Sequence, residues 1–318
     1  MLQKLIIFTF SFFLSTFPVQ AQKDIDAMGL ETIKTYEDTV ALLSYAIIND
    51  SLPEHRFGAC RKMIPTLVNA LKVENSFNYK FPKLQSISIQ YPEDSTFRVF
   101  TWQLFVDDND YRYYGAIQMN SGKLKLFPLV DRSFEVNDLE REPLTADKWY
   151  GALYYNIMQY DSPRGRKYLL FGFDGFSFFE RTKLIEVLSF QDGEPEFGRE
   201  PAFLKIDQTN GQERPINRLV LEYSAAAAVR LNFDESLGHI MHDHLIMMGA
   251  GPGGQPTYVP DGSYQGYQLK EGYWVNIPKV YDQVSEEPPR DFPIFNSGNS
   301  KKAKKNIFGK EGRVKGGK

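Results

Sequence analysis

Apolar positions between Ile25 and Leu71 recur at helical spacing. Val40, Leu43 and Ile47 fall three or four residues apart, and Ile33 and Tyr36 carry the same stripe backwards. Asn49-Asp50-Ser51-Leu52-Pro53 interrupts it, so the pattern predicts a second helix from Glu54 to Leu71, with Pro65 kinking it or capping a shorter one. After Phe81-Pro82 the period changes to alternation. Ser86 to Tyr91, Phe97 to Val106, Tyr111 to Met119 and Lys123 to Leu129 each read as a strand. Pro92 to Ser95, Asp107 to Asp110 and Asn120-Ser121-Gly122 separate them, which is the turn chemistry of an antiparallel meander.

A second meander starts with Trp149 to Met158 and Tyr168 to Asp174, while Thr182 to Phe190 fits a strand or a short helix. Leu219 to Tyr223, Ala227 to Phe233, His239 to Met247 and Tyr273 to Ile277 are further strand candidates. The Gly- and Pro-rich stretch from Gly249 to Gly262 reads as a loop. Tyr113-Tyr114-Gly115-Ala116-Ile117 returns 36 residues later as Trp149-Tyr150-Gly151-Ala152-Leu153. Two hairpins of one sheet would explain this echo, as would neighbouring blades of a propeller. The expected fold is mainly β: an antiparallel meander sandwich or open barrel behind an N-terminal helical segment (α+β), with a propeller-like repeat as the alternative.

Composition agrees with that class. The 318 residues are 42% hydrophobic and 24% charged, ordinary values for a globular protein, and 25 Phe with 18 Tyr favour strands. Low-complexity disorder of most of the chain and a collagen-like repeat are excluded. The single cysteine, Cys60, excludes a disulfide-stapled miniprotein.

Residues 1–21 read as a signal peptide. Lys4 is the positive flank, Leu5 to Phe17 the apolar run, and Val19-Gln20-Ala21 supplies small residues at −3 and −1. The run is shorter than the roughly 20 residues of a membrane-spanning helix. Cys60 lies too far downstream to carry a lipid after cleavage. The expectation is an exported protein of the periplasm or cell surface with no transmembrane segment after cleavage. A helical segment (22–80), a β-rich domain (81–295) and a basic tail (296–318) would follow. The tail holds eight basic residues and one acid; removing these and Lys4 from the overall −3 leaves −11 on Gln22 to Phe295. An acidic body with a Gly- and Lys-rich tail predicts a disordered arm on a folded domain, entered through Pro288-Pro289 and Pro293.

The sharpest chemical cluster is His239-Ile240-Met241-His242-Asp243-His244, which contains three of the four histidines. His239, His242, Asp243 and His244 are therefore the candidate metal ligands, with zinc the candidate ion. On a strand, His242 and His244 share one face and His239 and Asp243 the other, so two ligands converge and any third comes from elsewhere. Surface histidines beside a turn explain the same residues without a metal.

Other motifs fall short of a chemistry. Gly249 to Gly254 has the letters G-x-G-x-x-G, but Pro252 removes an amide and Gln255-Pro256 blocks the helix a dinucleotide site needs. Asp107 to Asp110 lacks the EF-hand spacing and its glycine, and reads as a polar turn, as does Asp161 to Gly165. Neither Ser177 nor Ser224 sits on a nucleophile elbow. Cys60 lies beside Arg61 and Lys62, which lower a thiol pKa, yet a small residue on a buried helix face is the simpler reading. Tyr154, Tyr155, Tyr264 and Tyr267, read as exposed aromatics, suit stacking on sugars or peptides; the alternative is core and cross-strand pairing.

Trp149 to Tyr155, Leu169 to Gly175, Glu186 to Phe190, Leu221 to Ala225 and Asp243-His244-Leu245 together resemble an uncharacterised family of exported proteins from Bacteroidota. The likeness spans Lys148 to Ile277 and implies an exported, β-rich protein; it implies no activity and no site residue. The expected function is a non-catalytic β-rich protein that binds an envelope glycan, a lipid head group or a partner protein, with no nucleic-acid role. The alternative is a metal-dependent hydrolase using His242 and His244.

Overall fold

The computed structural model describes residues 24–107, 110–175, 179–207, 211–250 and 256–280. The signal peptide and the basic tail read from the sequence lie outside these residues. Two helices open the described chain, α1 (Ala27–Asn49) and α2 (Pro53–Leu71). Asp26 caps α1 by accepting from the Gly29 amide at 2.6 Å, and Pro53 occupies the first position of α2, where its missing N–H is no loss. Pro65 neither ends nor shortens α2, which runs on to Leu71.

The strands follow as β1 (Ser88–Gln90), β2 (Phe97–Asp107), β3 (Asp110–Met119), β4 (Leu126–Val130), β5 (Leu144–Thr145), β6 (Leu153–Ser162), β7 (Gly165–Asp174) and β8 (Glu180–Gln191). The series continues with β9 (Glu194–Phe197), β10 (Phe203–Ile206), β11 (Glu213–Ile216), β12 (Leu219–Ser224), β13 (Leu231–Asp234), β14 (His239–Ala250), β15 (Pro256–Lys270) and β16 (Tyr273–Ile277). They form three sheets. The first is the meander β1-β2-β3-β4; the second has the order β5-β9-β8-β7-β6, with β12 added to β8; the third has the order β11-β10-β16-β15-β14-β13. All pairings are antiparallel except β10 with β16.

Period-two alternation stacks these elements in layers. On β2, Phe100, Trp102 and Leu104 pack against Val40, Ile47, Met63 and Leu67 of the helices, while Phe97 and Val99 face the second sheet. On β7, Tyr168 and Leu170 return that contact, whereas Leu169 and Phe171 turn to the third sheet. β8 divides likewise, Leu184 and Leu188 to one side and Ile185 and Val187 to the other. The second sheet is thus buried on both faces, which explains its near-continuous apolar runs. The result is an α+β stack of sandwiched sheets, mainly β and, among the described residues, with no closed barrel. The sheets have four, six and six strands, and the two six-stranded sheets differ in strand order, so no propeller blade is repeated among the described residues.

Two expectations are corrected. The Gly249 to Gly262 stretch is not all loop. β14 continues to Ala250, and residues from Pro256 onward belong to β15; 251–255 lie outside the described residues. The hairpin accommodates Gly and Pro through register shifts between Asp243 and Leu245 and between Met247 and Ala250. β15 meets β16 only from Gly266 onward, so Pro256 and Pro260 sit where β15 pairs on one edge alone. The echo is not a structural repeat either. Tyr113 to Ile117 is the middle of β3, whereas Trp149 to Ala152 precede β6, Trp149 forming an isolated bridge to Asp131. Each copy needs its glycine for a different reason. A Cβ on Gly115 would lie 2.9 Å from the Phe100 carbonyl, and one on Gly151 would collide with the Asp131 carboxylate.

Candidate functional site

A cleft of about 730 Å³ opens beside the third sheet, bounded by β12 and by the segment 137–140 that precedes β5. Its charged groups come from elements far apart in sequence. Lys205 on β10 and Arg214 on β11 are direct cross-strand partners, an arrangement that is repulsive by itself. Glu140 resolves it: Lys205 Nζ lies 2.5 Å from one carboxylate oxygen and Arg214 Nη2 bonds the other. The Glu140 backbone is pinned as well, its carbonyl accepting from the amides of Asn217 at 2.8 Å and Arg218 at 3.1 Å.

That pinning reaches into the core. Arg218 and Glu186 form an ion pair at 2.6 Å with both side chains at 0% exposure, and Arg218 Nη1 also donates to the Leu139 carbonyl. A charge pair so deep holds only when its geometry and extra hydrogen bonds offset lost hydration. Here it ties the second sheet to the segment that presents Glu140.

Glu222, on β12, enters the cleft wall. It makes no hydrogen bond or ion pair among the described residues. Burial, then the neighbouring Glu180 and Glu140 carboxylates, push its carboxyl above the usual range, against a smaller opposing pull from Lys205. Gln265 and Tyr267 of β15, Asn276 of β16 and Tyr258 complete the polar and aromatic lining.

The histidine cluster lies on β14, as its alternation predicts. His242 and His244 both line the cleft. His242 is 4% exposed, and its Nδ1 lies 2.9 Å from the Asp243 carbonyl oxygen. A carbonyl only accepts, so Nδ1 carries the proton and Nε2 is a bare acceptor; Nε2 is buried and has no partner. Burial pulls the His242 pKa down to about 4, keeping the ring neutral at neutral pH. His244 Nδ1 pairs with Asp261 at 2.8 Å. Asp243 is spent elsewhere, accepting from the Arg230 amide, and its carboxyl is raised by burial. His239 stands opposite Asp234 and Gln268 and does not line the cleft. Among the described residues no three His, Cys, Asp or Glu side chains are grouped to hold a metal ion.

Other sequence candidates resolve into structure. Cys60 is buried in α2, and burial raises its thiol pKa, opposite to the shift a nucleophile needs. Asp107 and Asp110 face each other across the β2–β3 hairpin, and Ser162 faces Gly165 across the β6–β7 turn. Strand β15, not a helix, follows the G-x-G-x-x-G letters. Ser177 lies outside the described residues. Tyr154 and Tyr267 are not exposed: Tyr154 accepts from Trp149 Nε1 at 2.7 Å inside the core, and Tyr267 is buried at the cleft wall. Tyr155 donates to the Leu231 carbonyl at 2.7 Å.

Sequence reasoning did not single out Glu140, Lys205, Arg214 or Glu222. They share no local motif, and only sheet pairing assembles them. Among the described residues no helix is long and apolar enough to cross a membrane. Comparison with protein-family models, with curated proteins and with solved structures returns no match in any of the three.

Proposed function

We propose that this protein is an exported, non-catalytic β-rich protein that binds an envelope component in the cleft beside the third sheet. The observation that carries the reading is convergence: Glu140, Lys205, Arg214, Glu222 and His242 reach one cleft from five separate segments of the chain. Sites of this kind combine a preformed concavity with a few fixed polar groups. The Nε2 of His242 strengthens the reading, because a desolvated acceptor without a partner costs about 1–3 kcal/mol that a ligand donor offsets. Signal-like residues 1–21 supply the argument for export.

The test is calorimetric titration of the mature protein with fractionated envelope material: glycan fragments, phospholipid head groups and envelope protein extract. Val220→Trp, which fills the cleft from β12, serves as the blocked control. Saturable binding to one purified fraction, lost in the blocked variant, supports the reading; binding that survives the block removes the cleft from it.

A second reading is a metal-dependent hydrolase, favoured by the placement of His242 and His244 on one cleft wall. There a zinc ion held by the two imidazoles and a further ligand would polarise a water or carbonyl. Near-stoichiometric zinc by elemental mass spectrometry, absent from a His242→Ala, His244→Ala double variant, would place this reading first.

A further inference from the structure

We infer that the cleft is built for an uncharged, hydroxyl-rich ligand, a neutral oligosaccharide. His242 Nε2 accepts one ligand hydroxyl proton, and the Glu222 carboxyl meets a second hydroxyl. The inference rests on the binding reading above and names the ligand class within it.

Lys205 and Arg214 are closed on Glu140, so the cleft offers no open pair of cations for phosphate or sulfate. An anionic ligand would also meet the carboxylates of Asp138, Asp207 and Glu222. What remains unspent is neutral hydrogen-bonding capacity. His242 is fixed as an acceptor by the bond from its own Nδ1 to Asp243. Glu222 has no protein partner among the described residues, and its carboxyl, raised by burial and by the Glu180 and Glu140 carboxylates, meets a ligand hydroxyl as acceptor when ionised and as donor when protonated. Sugar hydroxyls donate and accept at once, so one ligand satisfies both groups. Tyr258 and Leu245, on the same wall, supply apolar surface for the C–H face of a sugar ring.

The two anchors give binding a pH signature. As pH rises through the Glu222 pKa the donor is lost and affinity falls; Glu222→Gln keeps a neutral donor and acceptor at every pH.

The test is calorimetry with neutral tetrasaccharides of glucan, mannan and chitin type, beside a tetragalacturonate and a tetralysine peptide. At least one neutral tetrasaccharide is expected to bind. Its affinity should fall about tenfold from the acid to the alkaline limit of the titration in the wild type and stay level in Glu222→Gln. His242→Gln, with circular dichroism as the folding control, should weaken binding about tenfold or more at all pH values. Glu222 is an exposed position of β12, so Glu222→Gln keeps the test standing even if His242→Gln misfolds. Binding of only the charged probes, failure of every neutral probe, or pH profiles that match in wild type and Glu222→Gln would each overturn the inference. If a charged probe binds and Val220→Trp abolishes it, the ligand class is wrong and the binding cleft stands. If Val220→Trp leaves the binding of every probe and every envelope fraction unchanged, both readings fall.

Discussion

The Nδ1 of His242 lies 2.9 Å from the carbonyl oxygen of Asp243, and this one bond fixes how the imidazole meets the cleft. With its proton on Nδ1, the ring shows a lone pair at Nε2 and is held neutral by burial. A consequence for stability follows. The folded-state pKa of about 4 lies below the ordinary 6.5, so the unfolded chain takes up the proton first as pH falls. Stability from the buried neutral ring is complete above about pH 6.5 and lost as pH drops towards 4, on the order of 2–3 kcal/mol. Urea unfolding at pH 7 and pH 4.5 should show that loss in the wild type and a smaller one in His242→Gln. Equal losses would remove His242 as the source.

The Arg218–Glu186 pair is the second point of leverage. Replacing Arg218 with Met leaves Glu186 charged and buried without its partner, and should cost about 3–5 kcal/mol. The double variant Arg218→Met, Glu186→Leu should recover much of that loss. Because Arg218 also holds the Leu139 carbonyl, the recovered protein should still present Glu140 less firmly. Chemical denaturation of the single and double variants measures the first effect. Ligand affinity of the double variant measures the second, and should be reduced although stability is restored.

Gly266 sits on β15 opposite Met241, where a Cβ would come within 2.5 Å of the Ile240 carbonyl oxygen. Gly266→Ala must therefore push β14 from β15 next to His242. The expected cost is about 1–3 kcal/mol, read as a lowered midpoint in thermal unfolding. An unchanged midpoint would mean that the two strands are not held at this spacing.

Much of the fold was legible because its long strands alternate and its helices keep one stripe. Val40 and Ile47 marked α1, and Phe97 to Val106 marked β2 to within a residue. The short strands β5, β9, β10 and β11, of two to four residues, carry too few positions for any period to register. β15 was hidden by Pro256, Pro260 and Gly262, which usually punctuate loops and here occupy a strand segment paired on one edge alone. The site was half legible. Alternation put His242 and His244 on one side, but Glu140 meets Lys205 across 65 residues and Arg214 across 74, distances no local pattern spans.

Whether a cleft ligand engages the bare Nε2 of His242 is read by ¹⁵N NMR of that imidazole. The ring should be neutral at neutral pH with the proton on Nδ1, and its Nε2 resonance should move when a saturating neutral oligosaccharide is added. A ring protonated at Nε2, or an Nε2 resonance unmoved while calorimetry reports the ligand bound, would contradict it.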